Sequence, residues 1–158
     1  MSTEPEAQKT VLVVDDDRPM RALCRTALED VGFRVLEAAD GKAALATVRA
    51  EHPDLILLDI MMPGISGWEV TSALLADRST DQIPIVFISA RTELADRMRA
   101  FDLGAQNYVT KPFDPRGLAE TVTKTLDEID RGERDAALAE TLATLKKEQL
   151  TVGKPPSS

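Results

Sequence analysis

The chain has 158 residues, of which 43% are apolar and 29% charged, values that suit one domain with a sizeable core plus a short appendage. Its net charge of −8 argues against sequence-independent binding to DNA or to an anionic membrane, and no apolar run approaches the roughly 20 residues needed to cross a bilayer. The polar start, Met1 to Glu6, has no signal-peptide pattern, so a cytoplasmic protein is expected; the single Cys24 excludes an intrachain disulfide, and the single His52, just before Pro53, excludes a His-based metal site or a Ser-His relay.

Residues 1–9 carry no apolar period and are expected to form a mobile arm. Val11 to Val14 reads as a first buried strand that stops at Asp15, Asp16 and Asp17. Pro19 then opens a helix whose apolar positions are Met20, Leu23, Cys24, Ala27, Leu28 and Val31, up to a stop at Gly32; Cys24 reads there as a packing residue. Phe33 to Ala38 is a second strand, and Asp40-Gly41 begins a second helix through Ala44, Leu45 and Val48 that ends before Pro53.

Leu55 to Leu58 is a third strand, apolar on both faces as central strands of parallel sheets are, and it ends at Asp59 just ahead of the Pro63-Gly64 turn. Gly67 to Ala76 forms a third helix carrying Trp68, Val70, Leu74 and Leu75. Ile83 to Ile88 is a fourth strand ending at Ser89-Ala90, and Leu94, Met98, Phe101 and Leu103 mark a fourth helix closing at Gly104. Asn107 to Thr110 is a fifth strand that ends at Lys111-Pro112-Phe113. Asp114 and Pro115 cap and open a fifth helix through Leu118, Val122, Leu126 and Ile129. Five strands alternating with five helices predict an α/β fold: a parallel sheet covered by helices on both faces.

At Arg131-Gly132 the pattern restarts, with Ala136, Leu138, Leu142, Leu145 and Leu150 along a sixth helical stretch. The expected organisation is thus an arm at 1–9, a domain at 10–130, a helical extension at 131–152 and a disordered tail at 153–158. Residues 133–150 would span about 27 Å as a helix, and one that short is marginal alone in water. It is expected to dock on the domain, to extend the fifth helix or to pair with a second copy. The residues after 130 are too few for a DNA-binding output module.

Ligands of open parallel sheets sit beyond the carboxyl ends of the strands, where this chain places Asp15 to Asp17, Asp59, Ser89 and Lys111. Each has an ordinary reading alone: Asp17 and Ser89 as helix or turn caps, Asp59 as a cap of the Pro63-Gly64 turn, Lys111 as a solvated loop lysine. Together they crowd carboxylates at one edge, and crowded carboxylates stay ionised only when a cation joins them. With hard oxygen donors alone, Mg²⁺ is the favoured ion. A carboxylate beside Mg²⁺ can attack phosphorus to give an aspartyl phosphate, with Lys111 neutralising phosphoryl oxygens and the Ser89 hydroxyl donating to one of them.

Residues 10–130 resemble a response-regulator receiver domain of two-component signalling. The resemblance is carried by Val13-Val14-Asp15-Asp16-Asp17, by Leu57-Leu58-Asp59-Ile60-Met61-Met62-Pro63-Gly64, by Ile88-Ser89-Ala90, and by Gly104-Ala105 with Tyr108-Val109-Thr110-Lys111-Pro112-Phe113. It implies a flavodoxin-like doubly wound sheet of order 2-1-3-4-5. It implies Asp59 as phosphoacceptor, and Mg²⁺ held by Asp16, Asp59 and the Met61 carbonyl with help from Asp15. It also implies Ser89 and Lys111 on the phosphoryl group, Tyr108 as an aromatic that changes rotamer with Ser89, and a cis Lys111-Pro112 bond. Met61 and Arg91 stand where the family varies with the lifetime of the phosphoryl group.

The implied partners are a histidine kinase or phosphotransfer protein and a downstream protein that reads the face of the fourth helix, fifth strand and fifth helix. A homodimer through the fourth-helix and fifth-helix face or through the C-terminal helix is also open, with no nucleic-acid or membrane partner. Such a protein is a phosphoacceptor rather than an enzyme, catalysing only its own phosphorylation and dephosphorylation. Two alternatives stand beside this reading. One is a phosphatase resembling the haloacid dehalogenases, with Asp15 as nucleophile and Asp17 as acid/base, although Pro19 departs from that pattern. The other is an adaptor that keeps the receiver fold but works without phosphorylation.

Overall fold

A computed structural model describes residues 8–152 of the chain. Most of the expected arm and all of the expected tail, 1–7 and 153–158, lie outside the described residues. The elements are β1 (Thr10–Val14), α1 (Arg18–Glu29), β2 (Arg34–Ala38), α2 (Gly41–Glu51), β3 (Leu55–Asp59), α3 (Gly67–Leu75), β4 (Ile85–Ser89), α4 (Leu94–Asp102), β5 (Asn107–Thr110), α5 (Pro115–Asp130) and α6 (Arg134–Val152). The five strands are parallel in the order β2-β1-β3-β4-β5, the expected topology.

β1, β3 and β4 are buried along their whole length, because each is covered on both faces. One face meets a cluster that includes Leu12, Ile56, Leu58, Trp68, Val70 and Phe87; the other meets Val11, Leu55, Leu57, Leu28, Leu118 and Val122. Alternate residues of the same strand therefore enter different clusters, as the period of two requires. Cys24 belongs to the second cluster and is fully buried; burial, reinforced by Asp15, pushes its thiol up to about 12, which leaves it an inert packing group.

Three local expectations differ from the structure. The fourth strand begins at Ile85 rather than Ile83, since Pro84 has no N–H to give to a ladder; its carbonyl instead accepts from Ile56 N at 2.9 Å. Leu23 and Val31 are exposed rather than on the inner face of α1; the buried stripe is Cys24, Ala27 and Leu28, and Val31 lies past the helix end. Gln8 and Lys9 are tied down rather than mobile: Gln8 donates to Gly32 O, and Lys9 pairs with Asp130 and accepts from Arg34 N.

Two glycines set the geometry that matters for the site and for α6. Gly67 opens α3 against the end of β3, where an added Cβ would meet Asp59 O at 2.5 Å and Ile60 Cα at 2.8 Å. Gly132, with φ +72°, ends α5 in the left-handed conformation that only glycine adopts readily, so the chain turns back and α6 lies against α4 and α5. Gly67→Ala is expected to destabilise the fold by about 1–3 kcal/mol in urea or thermal unfolding, since backbone and not a flexible side chain must move. Gly117→Ala on α5, whose Cβ would meet nothing nearer than 3.7 Å, is expected to leave stability unchanged or raise it by about 0.5–1 kcal/mol.

Candidate functional site

Strand register brings the site together. Val14 pairs with Leu58, Asp59 with Ile88 and Ser89 with Thr110, so the residues at or just past these strand ends (Asp15, Asp59, Ser89 and Lys111) share one edge. Asp15, Asp59 and Ser89 are buried, whereas Asp16 is exposed at the rim. One carboxylate oxygen from each of Asp15, Asp16 and Asp59 lies within 4.8 Å of the others.

Lys111 closes this acidic pocket from the fifth strand. Its Nζ lies 2.8 Å from Asp15 Oδ2 and 3.4 Å from Asp59 Oδ2, bridging two acids that face each other across β1 and β3. Its position follows from the backbone bond Lys111 N to Ser89 O at 2.8 Å; the Lys111-Pro112 peptide is cis, as expected. Burial pulls the ammonium down, but the bond to Asp15 and the fields of both carboxylates outweigh it, so Lys111 stays charged with a raised pKa. Asp15 is fixed further by Asp17 N on its Oδ1 at 2.9 Å and by Arg21 on its carbonyl at 2.7 Å. This second role of Lys111, as a bridge between Asp15 and Asp59, was not visible in the sequence because it joins residues 96 positions apart.

The Asp59 carboxyl is raised to about 6. Burial is the largest cause and the Asp15 charge the next, with Lys111 and the Met61 N–H pulling the other way. Met61 N donates to Asp59 Oδ1 at 3.2 Å. The donor set is all oxygen and clustered at one rim, the chemistry a hard divalent cation such as Mg²⁺ takes, so Asp15, Asp16 and Asp59 are the side chains that would hold that ion.

Ser89 and Tyr108 both converge on Arg91, and their side chains also interact with each other. Arg91 N donates to Ser89 Oγ at 3.1 Å, the Tyr108 hydroxyl donates to Arg91 O at 2.7 Å, and the Arg91 side chain pairs with Asp96 of α4 at 3.0 Å. Tyr108 stands on β5 opposite Phe87, 6.5 Å between ring centroids, outside the acidic pocket. Asp17 also lies outside it. It holds the N-cap position of α1, but its side chain makes no capping bond, contrary to the expected cap; the first turn is anchored instead by its backbone carbonyl, which accepts from Arg21 N.

Fold and site together define a receiver: a doubly wound parallel sheet with an acid cluster, a hydroxyl and a lysine at its carboxyl edge. Residues 11–123 match the response regulator receiver domain family, and the chain belongs to that family. It is 39% identical over 130 residues to the phosphate regulon transcriptional regulatory protein PhoB of Pseudomonas aeruginosa, covering 82% of this chain and 57% of that protein. It is 36% identical over 124 residues to the probable transcriptional regulator ycf27 of Porphyridium aerugineum, covering 78% and 50%. The chain thus spans about half the length of these curated relatives. Among solved structures it resembles the chemotaxis protein CheY4 of Vibrio cholerae, with a TM-score of 0.68 and 33% identity over 77% of this chain and 98% of that one. A CheY-like receiver domain protein from Methanospirillum hungatei gives a TM-score of 0.73 at 28% identity over 80% and 99%. Family membership displaces the dehalogenase alternative.

Because the folded pKa of Asp59 lies above the ordinary carboxylate range, the folded protein binds more protons than the unfolded chain up to about pH 6. Its stability therefore falls as pH rises through that window. In metal-free buffer at about pH 8, Asp59→Asn is expected to be more stable than the parent by about 1–3 kcal/mol. Urea titrations at falling pH should show the gap closing below about pH 6 as Asp59 itself becomes neutral.

Proposed function

We propose that the chain is a phosphorylation-activated response regulator in which Asp59 accepts a phosphoryl group from a histidine kinase or phosphotransfer protein. The observation that carries this is the grouping of Asp15, Asp16 and Asp59 at one sheet edge, with Lys111 bridging two of them and the Ser89 hydroxyl on the next strand. An Asp59 carboxylate oxygen attacks phosphorus, an O–P bond forms, and the P–N bond to the donor imidazole breaks, its electron pair returning to the ring nitrogen. Asp15, Asp16, Asp59 and the Met61 carbonyl are the groups that would hold Mg²⁺, which when bound neutralises the charge on the transferring oxygens.

Within that scheme Lys111 changes partner. In the unmodified protein it neutralises Asp15 and Asp59; after transfer it faces the phosphoryl oxygens on Asp59. Ser89 is buried, and its Oγ already accepts from Arg91 N, so its proton can be given to a phosphoryl oxygen. Turning a two-state protein from 1:99 to 99:1 takes about 5.5 kcal/mol, whereas one hydrogen bond to a charged group supplies roughly 1.5–3 kcal/mol. Ser89, Lys111 and a repacking of Tyr108 must therefore act together. The surface that changes is that of α4, β5 and α5, and a downstream protein reads it. No helix of the described residues is long and apolar enough to cross a membrane, and we assign the protein to the cytoplasm.

Treatment with acetyl phosphate and Mg²⁺ is expected to add one phosphoryl group at Asp59, found by peptide mass mapping after reductive trapping of the acyl phosphate. Modification at Asp15, or none, would overturn the assignment. Lys111→Ala is expected to fold, because Lys111 lies outside both core clusters, and to keep some phosphorylation of Asp59. The change in exchange or fluorescence of α4 and β5 that accompanies phosphorylation in the parent protein should then be lost.

A further inference from the structure

The sixth helix lies on the face assigned above to the output. Its inward residues are Arg134, Ala137, Leu138, Thr141, Leu142 and Leu145, spaced 3, 1, 3, 1 and 3 apart, which is one continuous stripe of a helix. They face mainly α4 and to a lesser degree α5. Leu145 is 6% exposed and Phe101 of α4 is 5% exposed, yet neither belongs to the two clusters that flank the sheet. Polar contacts pin both ends. The Arg134 guanidinium donates to Gln82 O ahead of β4, and Glu148 pairs with Arg97 of α4 at 3.0 Å.

A short path connects this contact to the phosphorylation site. Arg91 binds Ser89 Oγ through its N–H, Tyr108 through its carbonyl and Asp96 through its guanidinium, and Asp96 adjoins Arg97, which holds α6. A phosphoryl group that draws Ser89 toward Asp59 therefore acts on the loop that seats the first turn of α4.

We propose that α6 is an intramolecular occupant of the α4–β5–α5 face, docked in the unphosphorylated protein and loosened when Asp59 is phosphorylated, so that phosphorylation uncovers the surface for a partner. This rests on the reading of Asp59 as phosphoacceptor. The chemistry suits release, since the inward stripe contains one buried leucine and two half-buried ones beside alanine and threonine, and the Arg97–Glu148 pair is partly solvent-exposed. A partner helix that replaces α6 would carry a stripe of small and leucine residues and an acid to meet Arg97. Once undocked, α6 loses the tertiary packing that supplies most helical stability in proteins, which makes backbone exchange a direct reporter.

Hydrogen exchange is measured on the full chain with and without Mg²⁺ and beryllofluoride, with native mass spectra recording whether the adduct forms. Amides of residues 136–150 are expected to exchange about fivefold or more faster in the adduct, and Asp59→Asn to show no change. If the adduct forms and α6 keeps its protection, the inference fails while the phosphoacceptor assignment stands. If no adduct forms on the parent protein, both fail. Coupling is reciprocal, so Leu145→Asp, which undocks α6 without touching either core cluster, is expected to tighten beryllofluoride binding by the same factor. Unchanged or weakened binding in a variant that still unfolds cooperatively would overturn the proposal.

Discussion

Two carboxylates buried side by side at the end of a dry strand are costly, because burial and like charge both oppose ionisation, and the arrangement around Asp59 is organised by that cost. Asp59 is pushed up to about 6 even with Lys111 3.4 Å away. The lysine reaches the pair only because β5 lies at the edge beyond β4 and its last residue pairs with Ser89. The sheet order is thus also an electrostatic arrangement: the acids come from β1 and β3, the hydroxyl from β4 and the cation from β5. A stored unfavourable charge pair is what a divalent cation and a phosphoryl group can relieve, which links the strain of the resting site to the ligands it would take.

Much of this was legible in the sequence because the relevant signals are local. Buried runs such as Leu55 to Leu58 mark strands without reference to their neighbours, and a polar residue that ends such a run must sit at the sheet edge. Asp15, Asp59, Ser89 and Lys111 could be found that way. What was not legible depends on pairings between distant segments. The bond from Lys111 to Asp15, the exposure of Leu23 and Val31, and the anchoring of Gln8 and Lys9 on Gly32 and Asp130 are set by what lies opposite. Asp17 shows the other kind of failure: it stands at the N-cap position, but Asp15 holds its backbone and its own carboxylate makes no capping bond.

The sixth helix shows why leucine spacing alone misled at that point. Ala136, Leu138, Leu142, Leu145 and Leu150 suggest one side, but the docked face pairs Leu138, Leu142 and Leu145 with Arg134, Ala137 and Thr141 and leaves Leu150 70% exposed. The surface beneath is not an apolar groove. It offers α4 and α5, Asn107 at the start of β5, the Arg97 guanidinium and a carbonyl before β4, so short and polar side chains fit it as well as leucine does. Face choice in α6 is dictated by the receiver and not by the helix.

That mixture also decides how firmly α6 can be held. Area-driven burial stabilises by about 25 cal/mol per Å², and a stripe built on alanine, threonine and a few partly covered leucines removes far less apolar surface than α5 does with Leu118, Val122 and Leu126 in the core. Exposed ion pairs such as Arg97–Glu148 add only about 0–1 kcal/mol. The α6 contact therefore rests on less apolar burial than that of α5, and it sits on the helix, α4, whose first turn is tied through Arg91 to Ser89. A modest free-energy change at Asp59, too small to reorganise the core, is of the right size to move such a contact.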